Sequence, residues 1–495
     1  MRLTATALLT AVLLSASGGE PPAVGPEPIT LSRAIEMALT RNLDLEVERL
    51  SPAIAEQGVD KALSVFDPTA TLSYGDRDER SASTSSLAGA STVIQRTTTY
   101  AGGIKQKLQT GTTLDLSLSY IRASTNSLYS TLDPSHTSGA TLSVKQSLLR
   151  GFGLKANRAE LAGALHSRDA ARQAFTAKVV QTVSDVEGAY WDLSAGLKGV
   201  EVARTALKAA QSLEEASRAK VDAGTLPKTD LLEASSASAS READLIDAER
   251  KAEDARDRLR QLVAPPGRDG AADWGLALVP ADEPSTPDLI PDLPTAVARA
   301  LCERPELAQA RATLLAAESS RLSAENTILP DLSVSGAWGQ QGVDGDREDA
   351  FSRLNDGRSR TWELGLSLEI PLGNRAAKSD LRKAKAQADQ AAARLRVLEE
   401  QVVVEVRAAG RAVESARRRV EAGRRAVAFA REKARDEQLR LEQGLSTAHA
   451  VLDASRTQAG EEGRLTTSTV DLLKAITAWH KAQAGLLQAR GIRLE

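Results

Sequence analysis

Aromatic side chains are scarce: five Trp, five Tyr and five Phe amount to 3% of 495 residues. That length would allow two or three compact domains, and their cores would normally draw on more ring area. Cysteine is rarer still, with Cys302 alone, so no internal disulfide can form. A single thiol on a helical stretch is expected to fill a gap in a core. The four His residues, 136, 166, 449 and 480, make no metal-ligand spacing with Asp or Glu. Gly151-Phe-Gly153 lacks a phosphate-loop context, and neither a nucleophile triad nor a paired-carboxylate site can be assembled. The chain is therefore read as not an enzyme, with no catalytic residues, metal or cofactor. Net charge is −3, with no basic cluster interleaved with aromatics, which argues against nucleic acid. Arg417-Arg-Arg419 reads as a solvated helix face.

Long apolar runs are missing as well. The one apolar stretch is Met1-Arg-Leu-Thr-Ala-Thr-Ala-Leu-Leu-Thr-Ala-Val-Leu-Leu-Ser-Ala-Ser-Gly18. One cation, a short apolar segment and Ala16-x-Gly18 predict a secretory signal peptide over 1–18, cut near Gly19. About a dozen apolar residues are too few to span a bilayer. The mature chain is expected to be exported without a helical membrane anchor and, with no cysteine after this segment, without a lipid there.

What the chain has is itself, twice. Lys220-Val-Asp-Ala-Gly-Thr-Leu-Pro-Lys-Thr-Asp-Leu-Leu-Glu-Ala234 matches Arg440-Leu-Glu-Gln-Gly-Leu-Ser-Thr-Ala-His-Ala-Val-Leu-Asp-Ala454 in its glycine, the cation four residues before it and its ending. Both lie between long helical patterns, and a Gly among small polar residues can end one helix in a left-handed cap and begin the next. Each reads as the tip of a helical hairpin. Ala34, Ile35, Ala38, Leu39 and Leu45 match Ala296, Val297, Ala300, Leu301 and Leu307; Phe66-Asp-Pro-Thr-Ala-Thr-Leu-Ser73 matches Ile328 to Ser335; Leu142 to Leu148 matches Leu366 to Leu372. Each half is helix, strands, long helix, tip, helix, a period too long for a solenoid unit.

After a Pro/Gly-rich lead-in over 19–28, residues 29–39 predict a short amphipathic helix and 42–65 a second, ended by Pro68. The period then becomes two. In Thr112-Thr-Leu-Asp-Leu-Ser-Leu-Ser-Tyr120, Leu114, Leu116, Leu118 and Tyr120 alternate with Asp115, Ser117 and Ser119, and Trp362 to Ile370 repeats the pattern. Loops are expected at 81–92, 125–138 and 340–360. Tyr74, Tyr100, Tyr120, Tyr129, Trp338 and Trp362 fall among the strands, which suits either β-propensity or a girdle at lipid headgroups. Helices are predicted from about 153 to 221 and from 373 to 443, each on the order of 100 Å long. The second carries a seam at Leu381, Ala384, Ala388, Ala391, Leu395, Leu398, Val402, Val406, Ala409, Val413, Ala416 and Val420, in steps of three and four with one stutter. So thin a stripe needs flanking helices, from 228–262, 446–490 and neighbouring subunits. Seven prolines in 264–294 mark a connector. Four to six strands cannot close a barrel, and an open edge cannot sit in lipid, so several copies must combine.

In order and duplication, the paired tips, Thr30-Leu-Ser-Arg-Ala-Ile-Glu-Met-Ala-Leu-Thr-Arg-Asn42, the strand starts after Pro68 and Pro330, and Ile370-Pro-Leu-Gly373 resemble the TolC-like outer membrane efflux proteins, or outer membrane factors. The resemblance covers essentially the whole mature chain. It implies a mixed α and β membrane protein: long antiparallel α-helical hairpins forming a periplasmic α-barrel, plus a β-barrel shared between protomers. It implies a homotrimer in the cell outer membrane, contacting its lipid, with a large periplasmic part. The implied function is a passive channel, the exit duct of a tripartite efflux or type I secretion system. The implied partners are a periplasmic adaptor (membrane fusion) protein and, through it, an inner-membrane pump of the resistance or ABC type. Residues 1–18 are then the signal, 19–263 the first repeat (strands about 67–148, hairpin about 153–262), 264–294 the connector, and 295–495 the second repeat (strands about 330–372, hairpin about 374–490).

Two departures stand out. Related repeats usually carry two strands each, but here the halves are offset by 262 residues before the strands and 224 after, so the first holds 38 extra residues (262 minus 224), matching an additional hairpin near 95–108 and 112–124. Relatives also place an Asp six residues after each tip Gly; Asp230 fits, Ala450 does not, and Asp453 keeps the later acidic position. Entrance or gating candidates are Asp230, Asp453, Asp222 and Glu442, with Glu233 nearby; adaptor-contact candidates are Gly224, Leu226, Pro227, Gly444, Leu445 and Ser446. His449 either lines the entrance or is a solvated polar residue. A coiled-coil envelope stalk with a β-rich head and no transport activity is the alternative, although it predicts one helical block instead of duplicated hairpins.

Overall fold

The structure is a computed structural model and describes residues 27–83, 88–128, 130–225, 227–263, 278–443 and 445–493. The expected signal peptide, Tyr129, Leu226, Gly444 and the first part of the connector lie outside the described residues. In chain order the elements are β1 (Glu27–Ile29), α1 (Leu31–Arg41), α2 (Leu43–Leu63), β2 (Thr69–Ala82), β3 (Thr92–Lys107), β4 (Thr112–Thr125), β5 (Ser135–Ser147), α3 (Gly153–Asn157), α4 (Ala159–Asp222) and α5 (Lys228–Val263). They continue with β6 (Leu278–Pro280), α6 (Leu293–Glu303), α7 (Pro305–Thr327), β7 (Asp331–Asp344), α8 (Arg347–Arg353), β8 (Arg360–Glu369), α9 (Arg375–Glu442), α10 (Ala448–Ala482) and α11 (Leu486–Ala489).

The duplication is visible in local geometry. Helices α1 and α6 have eleven residues each. Asn42 and Arg304, offset by the same 262 residues, both leave the helix in an extended conformation and donate their backbone N–H to Ala38 and Ala300 respectively. Ala34 and Ala38 are buried, as are their matches Ala296 and Ala300.

Two compact units form. The first comprises the chain up to Asn42, Asp185–Pro287 and Arg419–Lys474. Here the Thr30 hydroxyl caps α1 by accepting from the Arg33 amide at 3.3 Å. Leu31, Ala34, Ile35 and Ala38 form the buried stripe, at helical spacing, and α1 packs on α5. Strand β1 pairs in parallel with β6. The buried Tyr190 ties this pair to α4: its hydroxyl lies 3.0 Å from the Ile29 carbonyl and 2.9 Å from the Asp282 carboxylate, either of which can take its proton, and it accepts from the Asp282 amide. Asp282 also accepts from the Leu31 amide at 2.6 Å.

The second unit comprises Leu43–Ser184, Asp288–Arg418 and Ala475–Glu495. It contains an antiparallel sheet in the order β2-β3-β4-β5-β7-β8. The extra hairpin read from the repeat offset is β3–β4, inserted between β2 and β5. The α9 seam within this unit packs as its spacing predicts: Ala384, Ala388, Val402, Val406, Val413 and Ala416 are buried.

Several expectations need correction. Ile29 belongs to β1, because Thr30 starts the helix after it. The connector is structured at its end, where 278–280 form β6 and α6 begins at Leu293. The expected loop at 340–360 contains the end of β7 and the helix α8, capped by the Asp346 side chain. The helix expected to reach 490 breaks at 483–485: Ala484 has φ +61°, and Gly485 and Ala484 donate to the His480 and Lys481 carbonyls. That is a left-handed cap with Ala in the position where Gly usually advertises it. Cys302 is exposed on α6 and fills no core gap.

Burial raises the Tyr190 hydroxyl to a pKa of about 12, against about 10 for an unfolded tyrosine. The folded state therefore holds this proton more tightly. The stabilisation is complete below pH about 10 and is lost as pH rises through about 12. Tyr190→Phe should cost about 1–3 kcal/mol near neutral pH, since Asp282 loses a partner, and should shrink the alkaline loss of stability. Thermal unfolding of the detergent-solubilised protein at pH 7 and across pH 10–12 measures both; parallel pH curves for the two proteins would refute the assignment.

Candidate functional site: the two-faced sheet and the paired helix tips

Cross-strand pairs share a face, so the register sorts the sheet into an apolar and a polar side. One row reads Ala70, Ile104, Leu116, Leu142, Trp338, Trp362. A row on the opposite face reads Thr71, Gly103, Ser117, Thr141, Gly339, Thr361, and another contains Thr69, Lys105, Asp115, Ser143, Ala337, Glu363. Leu114, Leu116 and Leu118 thus share the apolar face, and Asp115, Ser117 and Ser119 the polar one, as the alternation predicts.

The apolar face is not covered by the chain's own core. Leu118 is exposed, as are Leu72, Leu364, Leu366 and Leu368. In water such a surface would be a large association hazard; in lipid it is at rest. Its aromatics lie in order: Tyr74 against Tyr100 at 5.2 Å and Tyr100 against Tyr120 at 6.0 Å between ring centres. Phe351 of α8 stacks on Tyr120 at 5.6 Å, and the Arg347 guanidinium sits 5.5 Å from the same ring. Gly342 makes room for α8, because a Cβ there would meet the Ala350 carbonyl at 2.1 Å. The Ser138 hydroxyl donates to that carbonyl at 2.6 Å. The tyrosines were expected together among the strands, but the part played by α8 was not foreseen from the sequence, although Asp346 followed by Glu348 and Asp349 is a readable helix start.

The tips are built by one device used twice. At the first, the Thr225 amide donates to the Lys220 carbonyl and Gly224 to Val221, each at 2.9 Å, with Gly224 at φ +73°. These are the two bonds of a glycine-terminated helix. At the second, the Leu445 amide donates to the Arg440 carbonyl at 2.8 Å, the matching bond of the matching residues. Thr447 then opens α10, its hydroxyl accepting from Ala450 at 3.3 Å.

Around these turns Asp222, Glu442 and Asp453 are exposed and Asp230 is half-buried. Among the described residues none of the four forms an ion pair. Pro227 is exposed, Leu445 is 75% exposed, and the half-buried Ser446 donates to Glu437 at 2.6 Å. His449 faces Glu233 at 3.9 Å, so the two tips meet through a pair that neither motif alone reveals. Leu226 and Gly444 lie outside the described residues.

The sequence pattern of the outer membrane efflux protein family matches residues 34–264 and 296–491, one block per repeat. The chain belongs to the outer membrane efflux protein family. No protein of curated function matches it. Among solved structures it is similar to the outer-membrane channel OprN, with 20% identity and a TM-score of 0.69 over 92% of this chain and 90% of that one. It is similar to the Campylobacter jejuni outer membrane channel CmeC, with 16% identity and a TM-score of 0.69 over 92% and 86%. It is also similar to VceC, an outer membrane protein of Vibrio cholerae, with 18% identity and a TM-score of 0.66 over 92% and 96%. At these identities the likeness is one of fold. Membership in the efflux family makes this chain an outer-membrane efflux duct. Among the described residues no His, Cys, Asp and Glu gather as a metal site, and no helix is long and apolar enough to cross a membrane.

Two substitutions test these assignments. Leu116→Arg should cost about 2–4 kcal/mol near the bilayer midplane, and Ser117→Arg much less; equal tolerance, measured by unfolding from lipid vesicles, would contradict the assigned faces. Gly224→Ala has open space around the new Cβ but keeps the left-handed strain, about 1 kcal/mol. It should speed hydrogen exchange at Thr225 while leaving β3–β5 unchanged; unchanged exchange at Thr225 would mean that the cap is not held by Gly224.

Proposed function

We propose that three copies of this chain form the outer-membrane exit duct of a tripartite efflux or type I secretion system, with the helical hairpins in the periplasm. The observation that carries the reading is the two-faced sheet whose end strands, β2 and β8, each keep one open edge among the described residues. Lipid on one side and open edges on the other two require copies of the chain to complete the wall. The thin Ala-rich seams of α9 ask for the same thing of the helices. The tips form the entrance, and exposed Leu445 and Pro227 offer an adaptor's helical hairpin an apolar foothold beside Gly224 and Ser446. The adaptor links the duct to an inner-membrane pump of the resistance or ABC type. The duct moves its cargo passively.

The entrance carries the selectivity. Asp222, Asp230, Glu442 and Asp453, repeated around a ring of copies, concentrate cations at the mouth. Asp230 and Asp453 are the acids on the positions that bring the first repeat and the second into register with the family.

Crosslinking the detergent-extracted protein should yield trimers; monomers alone would overturn the assembly. In planar bilayers, Asp230→Asn with Asp453→Asn should reduce cation selectivity or weaken block by multivalent cations. If both properties persist in the double variant, these acids are merely solvated and the gate lies elsewhere.

A further inference from the structure

Six strands per copy are more than two repeats of one hairpin each would supply. Without β3–β4, each copy would contribute β2, β5, β7 and β8. The inserted hairpin is no appendage. β3 pairs with β2 over 14 residue pairs, β3 with β4 over 13, and β4 with β5 over 12, so it lies inside the sheet with full ladders on both sides. Its turn is fastened to the segment that leads into α4. The Gly153 amide donates to the Thr110 carbonyl at 3.1 Å, Arg158 donates to the Gln109 side chain at 2.7 Å, and a Cβ on Gly111 would strike the Gly151 carbonyl at 2.0 Å. Leu114, Leu116 and Leu118 continue the lipid-facing surface, and Lys105, Asp115 and Ser117 continue the polar one. By pairing, anchoring and polarity, β3–β4 is wall.

The sheet is also cut for closure on copies of itself. The row through Leu72 crosses Gly102, Leu118, Ala140 and Gln340 and ends at Arg360. Leu72 is the fourth residue of β2, but Arg360 is the first of β8. The strands therefore step steadily along one another, the stagger that a tilted barrel needs. β2 and β8 run in opposite directions, since five antiparallel pairings separate them. The β8 of one copy can thus lie antiparallel against the β2 of the next. Both edges are bare: all 14 residues of β2 and nine of the ten in β8 are exposed. Leu72 at one edge and Leu364, Leu366 and Leu368 at the other bring the apolar surface up to the seam on each side.

We propose that three copies close a single barrel of eighteen strands, three times the six found here, with β8 of each copy paired to β2 of the next and the β3–β4 hairpins forming part of the ring. This rests on the trimeric duct reading and adds its bore. Barrel diameter grows roughly in proportion to strand number, so eighteen strands enclose a lumen about one and a half times as wide as twelve would, in the range where barrels hold an open aqueous channel. The outer section of the duct is therefore a broad polar conduit that passes bulky hydrated cargo without sieving it.

Cryo-electron microscopy of the full-length protein in lipid nanodiscs tests the count directly. A ring of eighteen strands is the expected cross-section. A twelve-stranded ring with β3–β4 folded outside or into the lumen would overturn the proposal while leaving the duct reading intact, as would a closed ring built from another number of copies. A protein that inserts but forms no ring and conducts nothing would overturn the duct reading itself. A second measurement uses polyethylene glycols of graded size added on the sheet side of a planar bilayer. The largest polymer able to enter and lower conductance should have a radius about one and a half times that admitted by a variant lacking residues 90–127. Equal cut-offs in the two proteins would overturn the proposal, and if the variant does not insert, the strand count alone decides.

Discussion

A strand edge inside hydrocarbon has no water to satisfy its amides and carbonyls, and each orphaned group costs several kcal/mol. This constraint governs the whole molecule. One copy presents two such edges, on β2 and β8, and among the described residues no further strand pairs with either. The sheet cannot exist in a membrane as a monomer. Its alternation of Leu with Ser, Thr and charged residues likewise makes sense only with lipid on one side and water on the other. Oligomerisation is thus a condition for inserting the sheet, and the opposed directions of the edge strands provide for it.

The helices meet a milder form of the same demand. A long amphipathic helix with an Ala-rich stripe buries too little to stand alone. What alanine gives up in area it returns in proximity: backbones can approach closely where Ala384, Ala388 and Ala416 lie. Large side chains are kept for the few places where a true core forms. Tyr190, Leu193 and Leu259 are buried in the first unit and Leu45 and Leu307 in the second. That distribution accounts for the low aromatic content that first set the sequence apart. Rings are spent on a few buried positions, Tyr190, Trp191 and Trp479, and on the apolar sheet face, where Tyr74, Tyr100 and Tyr120 line up.

Legibility in the sequence followed the length and regularity of the signal. Seven residues of strict alternation in β4, Leu114 to Tyr120, or a dozen seam positions in α9, leave little room for another reading. The tip at Gly224 was readable because left-handed backbone is costly for other residues. Ala484 hid the same turn at 483–485 because it lacks that signature. β1 and β6 escaped notice because three residues carry no periodicity, and their pairing spans some 250 positions. α8 lay in a charged stretch, Arg347 to Arg353, that resembles any polar loop until Phe351 is seen against Tyr120. At the tips, the turns could be read directly. The approach of His449 to Glu233 could not, since it joins two motifs 216 residues apart (449 minus 233).

The hairpin insertion changed the symmetry of the protein unevenly. The helical parts of the two halves remain close copies, down to the caps at Asn42 and Arg304. In the sheet the halves have diverged: the first supplies β2 to β5 and the second only β7 and β8. A ring of such chains repeats six times by its hairpins but only three times by its strands, in alternating arcs of four and two. Substitutions that both halves share in the helical portion are echoed at six places. A change on β3 or β4 has no counterpart in the other half, so each copy feels it once and not twice.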